Sequence, residues 1–150
     1  MKRPHVFLAV ALASTASAAT VASAKPDIPS ARPSSAATVQ LRHTSLGSIL
    51  VNSSGRTLYE FTRDRANKNS CTPIKGCSQA WPSLKANGRP TAGSGVKASL
   101  LSTSGGQVTY AGHPLYLYSE DRGPGKTAYV GAKQFGGSWY ALNAAGGAVK

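Results

Sequence analysis

The sequence predicts one small, mainly β domain built from two related hairpin-based repeats, with one disulfide loop and at most a short helix. Three observations carry that reading. The stretch "LYEFTRD", Leu58 to Asp64, returns in the same order as "LYLYSED", Leu115 to Asp121. The 16 glycines and 9 prolines break most windows in which a helix could run. Two cysteines, Cys71 and Cys77, stand close together in "SCTPIKGC".

The duplication extends beyond the quoted stretches. "GRTLYEFTRD" aligns with "GHPLYLYSED", so Tyr59 matches Tyr116, Phe61 matches Tyr118 and Asp64 matches Asp121. Trp81 follows Asp64 by 17 residues, and Trp139 follows Asp121 by 18. The chain has 2 tryptophans, and both fall at the same place in the unit. Such self-similarity is the mark of a repeated structural unit. The units run over about 47–88 and 106–147.

Each unit opens as a hairpin. Leu50-Val51 and Leu58-Tyr59 flank the turn formers Asn52 to Gly55. Val108 and Tyr110 lead through Ala111-Gly112 to Leu115–Tyr118, with Pro114 at the first position of the returning strand, where a missing N–H is tolerated. Alternation assigns Tyr59 and Phe61 to one face and Leu58 and Glu60 to the other; Tyr116 and Tyr118 likewise oppose Leu115 and Leu117. A third hairpin turns at Asn143–Gly147 in "SWYALNAAGGAVK". The one helical candidate is "CSQAWPSL", where Ser78 would cap a single turn ending before Pro82.

The N-terminus predicts export. Lys2 and Arg3 precede a short apolar stretch, Val6 to Ala13, and Ala22-Ser23-Ala24 forms a cleavage site before Lys25. A second such triplet, Ala16-Ser17-Ala18, leaves the cut uncertain by a few residues. The apolar run is far shorter than the roughly 18–20 residues that span a bilayer, so residues 1–24 read as a signal peptide and no transmembrane span is expected. Residues 25–40, rich in Pro, Ala and Ser, bury too little apolar surface to offset their ordering entropy and read as a disordered tether. The folded domain is expected over 41–150. In an oxidising compartment Cys71 and Cys77 are expected to form a disulfide, since a metal site would need ligands beyond the two mature-chain histidines, His43 and His113.

The chain carries 17 Lys and Arg against 5 Asp and Glu, a formal net charge of +12; loss of Lys2 and Arg3 with the signal leaves +10. A positive field of that size favours anionic cell-envelope polymers as partners. The basic residues are scattered and form no recognisable nucleic-acid module, so no specific nucleic acid is expected. With the signal peptide, the expected location is secreted or extracellular, with cell-wall association as the option the charge adds.

Catalytic signatures are thin. There is no Gly-x-Ser-x-Gly, no phosphate-binding glycine loop and no His-x-x-x-His. Asp64 and Asp121 hold equivalent strand ends, as a carboxylate pair would. They also stand where an Asp accepts backbone N–H groups of the following loop, and that reading is favoured because the loops after them differ. The repeat residues Tyr59, Phe61, Asp64, Trp81, Tyr116, Tyr118, Asp121 and Trp139 are therefore expected to be structural, the protein non-enzymatic, and no cofactor or metal is expected. The alternative is a sugar- or haem-like ligand stacked on exposed aromatics.

With these residues in view, the chain resembles a bacterial secreted-repeat family with the motif Tyr-x-[Phe/Trp/Tyr]-x-x-Asp, many of whose members are predicted lipoproteins. The resemblance rests on Leu58 to Asp64, the Cys71–Cys77 loop, Trp81-Pro82 with Leu84, and Tyr110 to Asp121. It covers almost all of 41–142. Two departures stand out: no cysteine follows the signal segment for lipid attachment, which implies a released protein, and the Cys-x5-Cys loop is longer than the family pattern. The resemblance implies export and a domain extent, and no biochemical activity.

Overall fold

The computed structural model describes residues 36–150, all within one compact unit. The expected signal peptide and most of the expected tether lie outside the described residues. Strand β1 (Thr38–Thr44) begins inside the stretch expected to be tether. Its reason is local: in "TVQLRHT" Val39 is buried in the core, and the strand pairs from Val39 to Thr44 with β2 (Gly47–Asn52).

The described fold is β-rich, as the sequence predicts. β1 lies between β2 and the parallel two-residue strand β4 (Thr91–Ala92). A second sheet places β9 (Gly137–Leu142) between β10 (Ala148–Val149) and β3 (Tyr59–Phe61), with β8 (Ala132–Gln134) also paired to β9. A third runs β5 (Leu101–Ser104), β6 (Gln107–Tyr110), β7 (His113–Pro114). The helical content is one turn, α1 (Cys77–Ala80), and a 3₁₀ turn at Ala98–Leu100. The residue that caps α1 is Gly76 in a left-handed conformation, not Ser78, which is inside the helix; no side chain caps it.

The turns follow glycine chemistry. Ala111 and Gly112 both have positive φ, 50° and 82°, between the paired residues Tyr110 and His113. That is a type I′ hairpin turn, whose twist matches the strands it joins. Asn52 holds the first turn through its side chain, whose Oδ1 accepts the N–H groups of Ser54 and Arg56. Asn143 does the same for Ala145 and Gly147 in the last hairpin.

The two repeats are interleaved rather than side by side. Tyr59 and Tyr116 exchange both backbone hydrogen bonds at 2.9 Å. Around this pair, contacts recur in twos. The Thr62 N–H donates to Ser138 O and the Ser119 N–H to Ala80 O. The Asn67 N–H donates to Gly112 O, and the Gly125 N–H to Gly55 O. Each motif strand thus pairs with the tryptophan segment of the other repeat, and each loop after an aspartate grips the other repeat's glycine turn.

The predicted faces divide the interior. Leu58 and Leu115 enter an aliphatic cluster with Val39, Leu50, Leu84, Val108 and Leu142. Tyr59, Phe61, Tyr116 and Tyr118 enter an aromatic cluster with Trp81, Trp139 and the Cys71–Cys77 disulfide. That disulfide joins Cα atoms 5.4 Å apart. Ile49, Val51 and Ala141 form a third, smaller cluster under Val130 and Val149.

Candidate functional site

The duplicated motif builds an aromatic column at the junction of the repeats. Phe61, Trp139, Trp81, Tyr118 and Tyr129 follow one another with ring centroids 4.1, 4.0, 4.3 and 4.1 Å apart. The two indoles lie 2° from parallel. Tyr59 packs edge-on against Trp81 and Tyr116 edge-on against Trp139, at 5.2 and 5.1 Å, the edge-to-face arrangement that aromatic quadrupoles favour. Gln134 receives both indole N–H groups, that of Trp81 on its side-chain oxygen at 2.8 Å and that of Trp139 on its carbonyl at 3.4 Å. The six aromatic motif residues are all buried, and Leu46 is the exposed large hydrophobic among the described residues. The stacking surface that a sugar or haem-like ligand would need is therefore not formed by the motif aromatics, because their rings are used on one another.

The two aspartates are tied to tyrosines across the repeats. The Tyr59 hydroxyl donates to Asp121 Oδ2 at 2.9 Å, and the Tyr116 hydroxyl donates to Asp64 Oδ2 at 2.8 Å. The expected bond to a following loop is present once: Asp64 Oδ1 accepts the Ser70 N–H at 2.7 Å. Asp121 Oδ1 has no hydrogen-bond partner among the described residues, although the residue is 2 % exposed. Arg56 instead reaches the backbone there, its guanidinium donating to the carbonyls of Asp121 and Tyr118.

These surroundings set the proton affinities. Burial pushes the carboxyls of both Asp64 and Asp121 above the ordinary range; the tyrosine hydroxyls oppose it at each, the Ser70 N–H opposes it at Asp64, and Arg56 and Lys126 oppose it at Asp121. Burial and the facing carboxylates push both tyrosine hydroxyls well above the phenol range, so they stay donors.

An open cleft reaches the aspartate–tyrosine pairs at Asp64. Asp64, Arg65, Ala66, Ala111, Gly112 and His113 line a space of about 180 Å³. There the His113 Nδ1 meets Glu60 Oε2 at 2.5 Å. The hydrogen bond to Glu60 holds the imidazole above its usual 6.5, with burial opposing and the charges of Glu60 and Asp64 adding to the rise. This cluster was not visible from the chain. Glu60 sits on the face opposite Tyr59, and its repeat counterpart is Leu117, so duplication gives no hint of it. Its groups are engaged with one another: Glu60 with His113, and Asp64 with Tyr116 and Ser70. No group of three or more His, Cys, Asp or Glu side chains is close enough to hold a metal ion among the described residues, and no helix among them is long and apolar enough to cross a membrane.

Compared with known protein families, residues 41–85 and 101–143 each match the family described as a secreted repeat of unknown function, Lipoprotein_15. No curated protein and no solved structure matches the chain. The two matched segments together cover more than half of the sequence and coincide with the two interleaved units, so the chain belongs to this secreted-repeat family and carries its repeat twice.

Proposed function

We propose that the protein is a non-catalytic module of the cell envelope that holds anionic envelope polymers against a basic surface. The observation that carries this reading is the sorting of charge between interior and exterior. Of the Lys and Arg among the described residues, all but Arg56 are exposed. Of the Asp and Glu side chains among the described residues, Glu60 and Asp121 are buried, Asp64 is half-buried, and Glu120 alone is exposed. Glu120 lies 4.0 Å from Arg122, at the limit of an ion pair. The exposed side-chain charges of the described residues are thus nearly all of one sign, and such a field attracts polyanions.

The non-enzymatic part of the reading is supported by the engagement of the aspartates a hydrolase would use: one oxygen of each accepts the hydroxyl of a tyrosine of the other repeat, Asp64 Oδ1 also accepts the Ser70 N–H, and Asp121 is buried. The test is retention of the mature protein on isolated cell wall and on polyphosphate or polyuronate matrices as salt is raised. Retention at low ionic strength that disappears toward 1 M, where the Debye length falls to about 3 Å, is expected. Failure to bind at low salt, or binding indifferent to salt, overturns the proposal.

A further inference from the structure

The duplication supplies an internal control that exposes a second site. The Leu58 N–H donates to Leu50 O and the Leu115 N–H to Val108 O, so Leu50 and Val108 hold the same place in the two repeats. Their neighbours must then correspond: Ile49 to Gln107, and Val51 to Thr109. Ala141 pairs with Tyr59 and Ser83 with Tyr116, so those two correspond as well. In one half Ile49, Val51 and Ala141 form a closed apolar cluster under Val130 and Val149. In the other half the same three places carry Gln107, Thr109 and Ser83, and the space beside them is an open cleft of about 240 Å³. The fold accepts an apolar plug there, so the polar residues are not a requirement of the architecture.

The cleft has a fixed wall and a free one. Asn69 and Gln107 form the fixed wall. The Asn69 amide donates to Gln107 Oε1 at 2.7 Å and to Ser83 Oγ at 3.1 Å, its Oδ1 accepts the Cys71 and Thr72 N–H groups, and the Gln107 amide donates to Leu115 O. The free wall is made of Asn67, Thr72, Thr109 and Lys85, whose side chains make no hydrogen bond or ion pair among the described residues. Thr109 is 1 % exposed, so its hydroxyl is withdrawn from bulk water yet lines the cleft. Lys85 is the one charged residue lining it, and no carboxylate does.

We propose that this cleft is a binding subsite for a single hydroxyl-rich unit bearing one anionic group, a carboxylate or a phosphate. The inference rests on the envelope reading for the kind of polymer, and on the cleft for the unit. Hydroxyls and amides offer both donors and acceptors to a polyol, and Lys85 supplies the counter-charge. At roughly 30 Å³ per water the space holds about eight waters, the size of one sugar or polyol residue rather than a chain of them. The hydrogen bonds of Asn69 and Gln107 hold one wall of the site in place before a ligand arrives.

The experiment is an NMR titration of the mature protein with glucuronate, with glycerol phosphate and with uncharged glucose. Saturable shifts of the Thr72, Lys85 and Thr109 amides are expected with one or both anionic probes, and at least tenfold weaker with glucose; the stronger anionic probe names the source. Lys85→Gln and Thr109→Val should each weaken binding at least fivefold, while Lys97→Gln, an exposed cation outside the cleft, should leave it unchanged. Thr109→Val places in this half the residue that Val51 already provides in the other, so the variant should fold, and its spectrum checks that it does. Shifts that never saturate, that spread over the surface, or that weaken equally with Lys97→Gln overturn the subsite while leaving retention by anionic matrices intact. Loss of that retention in the wild type would instead remove the envelope reading.

Discussion

Removing the hydroxyl of Tyr59 tests how the repeats are joined. In Tyr59→Phe the ring stays against Trp81, and what is lost is the donor to Asp121 Oδ2 at 2.9 Å. Asp121 is 2 % exposed and its other oxygen already lacks a partner among the described residues, so no side-chain donor remains for either oxygen. A hydrogen bond to a charged group in such a setting is worth about 1.5–3 kcal/mol. Tyr116→Phe makes the same change at Asp64, which is half-buried and keeps the Ser70 N–H at 2.7 Å. Water can replace the lost donor there, and the cost falls to about 0.5–1.5 kcal/mol. Urea unfolding of both variants should therefore show Tyr59→Phe as the more damaging, with melting temperature falling by about 4 °C per kcal/mol for a domain of this size. The double-mutant cycle of Tyr59→Phe with Asp121→Ala should give a coupling of about 1 kcal/mol or more. The cycle with Asp64→Ala, the aspartate of the same repeat, should stay below about 0.5 kcal/mol. Equal costs at the two tyrosines, or stronger coupling within a repeat than across, would refute the reasoning.

Three further outcomes follow from individual contacts. His113 has a raised proton affinity in the folded state, so its pairing with Glu60 contributes stability that is fully present below 6.5 and is lost as pH rises through the folded value; urea midpoints should fall from pH 6.5 upward in the wild type and stay flatter in His113→Gln. Reduction of Cys71–Cys77 opens a ring of sequence separation 6 and should cost about 2 kcal/mol, read as a shift of the unfolding midpoint in reductant. Gly137→Ala would bring a Cβ to 2.6 Å from the Phe61 ring and 2.9 Å from Arg63, and the repacking should cost about 1–3 kcal/mol by thermal melting.

The parts of the fold that follow from short-range chemistry were legible in the chain. Alternation placed Leu58 and Leu115 opposite Tyr59 and Tyr116, and the two sides do enter different clusters. The Asn52, Ala111-Gly112 and Asn143 turns form where turn residues stand, and the two close cysteines are bonded. The strand β8 and its turn were not foreseen, because Phe135 at φ 58° occupies a position where Asn or Gly is the usual signal. The exchange of strands between repeats was also invisible: a motif read along one copy implies partners within that copy, whereas Tyr59 finds Asp121 and Phe61 stacks on Trp139. Of the candidate sites, the polar cleft has a signal that the alignment of repeats contained. Ile49 and Val51 face Gln107 and Thr109 once the copies are registered on Leu50 and Val108, and only the third dimension shows that one set is covered and the other open.

Amide hydrogen exchange at Tyr59 and Tyr116 tests the interleaving most directly. Their N–H groups bond to each other's carbonyls at 2.9 Å, at the centre of the junction. If the duplicated motif is one shared folding unit, both amides exchange only through global unfolding, with equal free energies that match the urea value. Exchange of either amide at a distinctly lower free energy, with one repeat opening while the other stays protected, would contradict it.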